Sequence, residues 1–172
     1  MKSLKSIAAL ASVCAVVAIM LAVTNYFTAP IIAKKEAQAV QESLLLVMPN
    51  GENFEEMDIS SLSLPKIVTA VYRETNGGYV FKLETTGQNP GLIIMCGVNA
   101  DGTVSGARCI ASKEDLKHEK TYGDLFKGLD LAGAENVDTI SQATNTTQGY
   151  KDAVKTALQT AQMLKEGEKN EK

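Results

Sequence analysis

From Ile7 to Val23 the chain reads IAALASVCAVVAIMLAV, a run without a single charge. With Ser6 before it and Thr24 to Phe27 after it, the stretch reaches about 20 residues, the length a helix needs to cross a hydrocarbon core. Lys2 and Lys5 precede the run, and Tyr26 and Phe27 stand where an interfacial aromatic belt would lie. The positive start predicts an N-terminus inside the cell and the rest of the chain outside, although Lys34 and Lys35 follow the run. A cleaved secretory signal also begins with lysines and an apolar run, but its apolar region is shorter and is followed closely by a small-x-small site. Here the run is longer and ends at Asn25, Tyr26 and Pro30, which favours a retained anchor. Either reading delivers the remaining residues to the extracytoplasmic side.

With 172 residues, 45% of them hydrophobic and 22% charged, the chain has room for one modest domain beyond the anchor. A net charge of −3 argues against the basic surface that nucleic-acid binding requires. Cys14, Cys96 and Cys109 form no C-x-x-C pair, and His118 is the only histidine, so a zinc or iron–sulfur site within this chain is not expected. His118 stands in a charged segment and is read as a surface residue without a role. No Gly-x-Gly-x-x-Gly and no P-loop supports NAD or ATP binding.

After the anchor, Ile31 to Val47 is rich in helix formers, with Pro30 suited to a first turn and Pro49-Asn50-Gly51 supplying a stop. This predicts a stalk helix that carries the domain off the membrane. Ile67 to Thr75 and Tyr79 to Thr85 are β-rich runs around Asn76-Gly77-Gly78, a hairpin signal. Leu92 to Val98 and Thr103 to Ala111 form a second pair around Asn99 to Gly102. Both alternating sets of LIIMCGV are apolar, which predicts a central strand covered on both faces. That hairpin would set Cys96 and Cys109 diagonally on one face, near or beyond the separation a disulfide spans, so free thiols are the expectation.

Ser112 with Glu114 and Asp115 reads as a short helix start, and Thr121 to Gly133 as irregular, with Leu125, Phe126, Leu129 and Leu131 available to the core. From about Thr147 an amphipathic helix places Val154, Leu158 and Ala161 or Met163 on one side. The chain is therefore expected to be α+β: a transmembrane anchor (1–28), a stalk helix and linker (29–58), a domain of antiparallel hairpins flanked by helices (59–166) and a charged tail (167–172).

Asp138-Thr139-Ile140-Ser141-Gln142-Ala143-Thr144, followed by Asn145-Thr146-Thr147, crowds small and hydroxylated residues at the entry to that last helix. Free N–H groups at a helix start favour anions, and the hydroxyls add donors or a point of covalent attachment. On local chemistry alone, hydroxyls that merely cap backbone donors are the commoner arrangement. The stretch resembles the Asp-x-x-Ser/Thr-Gly-Ala-Thr motif at which a flavin transferase esterifies the phosphate of FMN to a threonine. That motif belongs to the G subunits of Rnf complexes and the C subunits of sodium-pumping NADH:quinone reductases. Thr24-Asn25-Tyr26-Phe27-Thr28-Ala29-Pro30-Ile31-Ile32 also resembles the membrane exit of Rnf G subunits.

The resemblance implies an FMN-binding fold with covalent FMN on Thr144, and with Asp138, Ser141 and Ala143 completing the motif. It implies a membrane-anchored, extracytoplasmic electron carrier whose partners are the other membrane subunits of an Rnf-type complex and, during maturation, the transferase. Two departures stand out. Gln142 occupies the place of the usual glycine, which would permit a positive φ or close approach. Where the family carries a Glu-Thr-x-Gly-Leu-Gly-like loop, residues 112–123 retain only Glu119, Thr121 and Gly123. A tethered binding or scaffold domain that kept the fold and lost the flavin is the rival from a different class, and other extracytoplasmic flavin carriers share the fold.

Overall fold

The structure, a computed structural model, describes residues 2–60, 62–113 and 119–170; the side chains of residues 2–10, 12–13, 29–37, 119–120 and 168–170 lie outside that description. The chain divides into two compact units, Met1–Gln41 and Glu42–Lys172.

The first unit is helical. Helix α1 runs from Lys2 to Val47 without a break at Pro30, and its last residues, from Glu42 on, belong to the second unit. This differs from the expected anchor followed by a stalk helix with Pro30 in its first turn: Pro30 withdraws one N–H from the ladder, and the helix formers around it carry the helix through. Thr24 and Thr28 turn their hydroxyls back onto the carbonyls of Met20 and Thr24, at 2.8 and 2.7 Å, so neither needs an outside partner. Val16, Val17, Ile19, Met20, Leu21, Val23, Tyr26 and Phe27 are all exposed. Among the described residues no helix is long and apolar enough to cross a membrane. The run Ile7–Val23 falls partly on side chains outside the description.

The second unit is a five-stranded antiparallel meander in the order β1-β2-β3-β4-β5: Glu55–Glu56, Val68–Arg73, Tyr79–Thr86, Pro90–Val98 and Val104–Ala111. The four long strands follow the two hairpins expected from the sequence. β1 is an addition, since two exposed glutamates carry no periodicity from which a strand could be read. The short helices α2 (Glu119–Tyr122) and α3 (Leu131–Glu135), with a 3₁₀ turn at Gly123–Phe126, lead to α4 (Thr144–Asn170). The helix start expected at Ser112 rests on residues 114–118, which lie outside the described residues, as does His118.

β4 is central and covered on both sides, as its doubly apolar pattern requires. On one side α4 buries Tyr150, Ala153, Val154, Ala157, Leu158 and Ala161 in the cluster that holds Phe81, Leu83, Ile94 and Cys96. The alanines bring the helix axis close to the sheet, and Met163 stays exposed, so Ala161 fills the position left open between them. On the other side the paired glycines Gly97 and Gly106 form a notch for the end of α1. A Cβ on either would stand within 2.9 Å of the Val47 carbonyl oxygen. Cys96 pairs with Ala107 and Ile94 with Cys109, so the two cysteines are diagonal neighbours on one face, and no disulfide joins them.

The turn of the first hairpin hides a carboxylate that sequence patterning did not single out. Glu74 is buried and accepts from the Glu52 N–H at 3.1 Å, the Asn76 N–H at 2.8 Å and the Asn76 side-chain amide at 2.7 Å. It ties Glu52 to the hairpin. Glu74→Ala strands these donors and is expected to cost about 2 kcal/mol, read as a lower urea midpoint at unchanged slope.

Candidate functional site at the start of the last helix

The predicted motif folds into a turn and the first residues of α4. The Ile140 carbonyl accepts from the Ala143 N–H at 3.1 Å, closing a four-residue turn over Ile140 to Ala143. Gln142, third in that turn, has φ +70°, while Ser141 is not among the residues with positive φ. A positive φ at the third position alone defines a type II turn, which ordinarily demands glycine there. The backbone therefore takes the shape a glycine would give, with glutamine bearing the strain of a left-handed residue, about 1 kcal/mol.

Side chains from elsewhere pin the approach to this turn carbonyl by carbonyl. Lys151 donates to the Val137 carbonyl at 2.9 Å, and the Tyr122 hydroxyl donates to that of Asp138 at 3.1 Å. Thr147 accepts from the Ile140 N–H at 3.2 Å and donates to the Ala143 carbonyl at 2.9 Å, so its hydroxyl is the cap that joins turn to helix. Tyr122 is itself held edge-on by Phe126 and Tyr150, with ring centroids 5.3 and 5.5 Å away. Sequence patterning does not find this aromatic cluster: it counts Leu125 toward the core, which is exposed, and passes over Tyr122, which is buried.

The threonines of the motif divide by accessibility. Thr146 is 4% exposed and Thr147 fully buried, whereas Thr144 is exposed at the first residue of α4. The Thr144 hydroxyl makes one long contact, 3.4 Å, to the Ile140 carbonyl. Ser141 and Asp138 are also exposed, and Ala143 is half-buried. Thr144 and Ala143 line a cavity of about 170 Å³ together with Gln88, Gln142, Asn145 and Thr146, and Asp138 and Ser141 are not part of its lining. Gln88 belongs to the β3–β4 turn, whose place is fixed by contact with α4: a Cβ on Gly149 would lie 2.4 Å from the Thr86 carbonyl oxygen. The first turn of α4 carries no acidic residue, and its leading N–H groups have no acceptor within the helix.

Burial, then the charges of Asp138 and Asp152, push Tyr122 up to about 12 from a usual value of 10.0, so it remains a hydrogen-bond donor at neutral pH. A raised folded pKa means the folded state holds its proton longer. The associated stability is intact below pH 10 and is lost as pH rises towards 12. Tyr122→Phe is expected to flatten that part of the alkaline denaturation curve, to cost about 1 kcal/mol at neutral pH and to speed amide exchange at Ile140.

Residues 87–159, which begin at the β3–β4 turn and end within α4, match the family of FMN-binding domains. Over that stretch the chain is similar to FMN-binding domains. It is also 27% identical, over 180 aligned positions covering 87% of each chain, to the G subunit of the Na(+)-translocating ferredoxin:NAD(+) oxidoreductase complex of Acetobacterium woodii. The resemblance to Rnf G subunits that the threonine motif and the membrane exit suggested is thus borne out along most of the chain. The donor set at the start of α4 suits a phosphate: helix-start N–H groups that lack an acceptor inside the helix, the three carboxamides of Gln88, Gln142 and Asn145, an exposed hydroxyl and no competing acid in the first turn.

Proposed function

We propose that the protein is a membrane-anchored electron carrier with FMN joined through its phosphate to the Thr144 hydroxyl, working as a subunit of an Rnf-type ion-translocating ferredoxin:NAD⁺ oxidoreductase complex. The observation that carries this reading is the selective exposure of Thr144, within the stretch similar to FMN-binding domains, at a helix start whose neighbouring threonines are buried. A flavin transferase making the ester can reach only that threonine oxygen of the helix start without unfolding the first turn. Bound flavin supplies reversible electron transfer. The chain's own part is to hold the attachment point still: Lys151, Tyr122 and Thr147 fix the three carbonyls and the N–H that set the turn, and Gly149 keeps the β3–β4 turn against the helix.

The apolar run Ile7–Val23, between Lys2 and Lys5 on one side and Tyr26 and Phe27 on the other, supports a retained anchor with the N-terminus inside and the domain on the extracytoplasmic face. The partners are then the remaining membrane subunits, and the transferase during maturation. The rival scaffold drew its support from Gln142 and from the altered loop at 112–123, and the first of these weakens because Gln142 takes the left-handed backbone a glycine would have taken. The test is co-expression with a flavin transferase, followed by denaturing electrophoresis of washed membranes. A fluorescent band is expected in the membrane fraction, lost when protease is added to spheroplasts. A dark band, or a fluorescent band that the protease leaves intact, would contradict the carrier or its orientation, respectively.

A further inference from the structure

We propose that the carboxamides of Gln88 and Gln142 together grip the phosphodiester at Thr144, replacing by side-chain donors what a glycine turn would offer through close backbone approach. The inference rests on the reading of Thr144 as the ester acceptor. Gln142 sits at φ +70°, where an L-residue is strained and a glycine is not, so its side chain costs stability that a use in the site would offset. Its position gives it one: Gln142 lines the cavity of about 170 Å³ beside Thr144, and Gln88 lines the same cavity from the β3–β4 turn. The two cannot drift apart easily, because Gly149 of α4 packs against the Thr86 carbonyl immediately before that turn.

The chemistry matches the ligand. A phosphodiester carries one negative charge over two non-bridging oxygens, which only accept hydrogen bonds. Helix-start N–H groups approach it from the α4 side. Each carboxamide lining the same cavity adds two N–H donors without adding charge. The grip lowers the freedom of the linkage, and with it the freedom of the flavin it carries.

The experiment compares full-length wild type with Gln142→Gly, Gln88→Ala and the double variant, each expressed with and without a flavin transferase. Loading is read by intact mass, stability by thermal melting, and the linkage by its phosphorus NMR resonance. Without flavin, Gln142→Gly is expected to melt at or above the wild-type temperature, which a purely structural glutamine would not allow. Loading is expected to raise the melting temperature of the wild type, and the double variant to lose most of that rise. The phosphorus resonance of the loaded double variant should move toward that of an isolated FMN-threonine peptide. Equal resonances and equal melting increments in loaded wild type and loaded double variant would overturn the grip while leaving the ester intact. A wild type that takes up no FMN would overturn the ester reading, and the grip with it.

Discussion

Thr144→Val is expected to fold like the wild type and to carry no covalent FMN, so the fluorescent band disappears while the protein remains in the membrane at the same level. The fold tolerates the change because the hydroxyl lost is exposed and its one contact is long, 3.4 Å to the Ile140 carbonyl. The stability cost should stay below about 1 kcal/mol. Attachment cannot move to a neighbour, since Thr146 is buried and the Thr147 hydroxyl is engaged in capping the turn. Thr144→Ser keeps the nucleophilic oxygen and should restore part of the band. Undiminished fluorescence in Thr144→Val would place the flavin elsewhere, with exposed Ser141 the first position to examine.

Gly123→Ala is expected to produce the largest loss of stability. The added Cβ would stand 2.1 Å from the Ala107 carbonyl oxygen and 2.4 Å from the Tyr150 hydroxyl, and neither obstacle is the end of a flexible chain. The Ala107 oxygen belongs to β5, and Tyr150 is locked among Tyr122 and Phe126. Relief requires the 3₁₀ turn to lift off the sheet and the aromatic cluster to open. Overpacking of this severity costs about 3 kcal/mol or more, which lowers the melting temperature of a unit this size by about 10 °C. The Tyr122 hydrogen bond to Asp138 would loosen with it, so flavin loading should fall in parallel with stability. A melting temperature unchanged in Gly123→Ala would mean that the turn is not packed on β5 as described.

Much of the architecture was legible in the sequence because it obeys short-range rules. Asn76-Gly77-Gly78 and Asp101-Gly102 announce turns, and Gly77 and Gly102 do adopt φ of +89° and +91°. The doubly apolar β4 could only be central. The last helix was legible from its apolar spacing, though not its first turn, because Thr144 to Thr147 read as a loop of hydroxyls until Thr147 is seen capping it. The unbroken α1 was not foreseen, since proline is a strong stop signal only where other helix formers do not outweigh it. Tyr122, Lys151 and Gln88 were missed for a different reason. Each acts on the motif from a distance in sequence: Lys151 lies 14 residues from its Val137 partner and Tyr122 lies 16 from Asp138. No periodicity records such contacts, whereas the Asp138–Thr144 motif itself stands in seven consecutive letters.

The central claim is that one oxygen, on Thr144, bears the flavin. Its most direct test is peptide-level mass spectrometry of the full-length protein purified from cells that express a flavin transferase. The account predicts that the peptide spanning Asp138 to Lys151 carries the mass of an FMN phosphoester, with fragmentation assigning it to Thr144. That peptide recovered only in unmodified form, or the added mass assigned to any other residue, would contradict it.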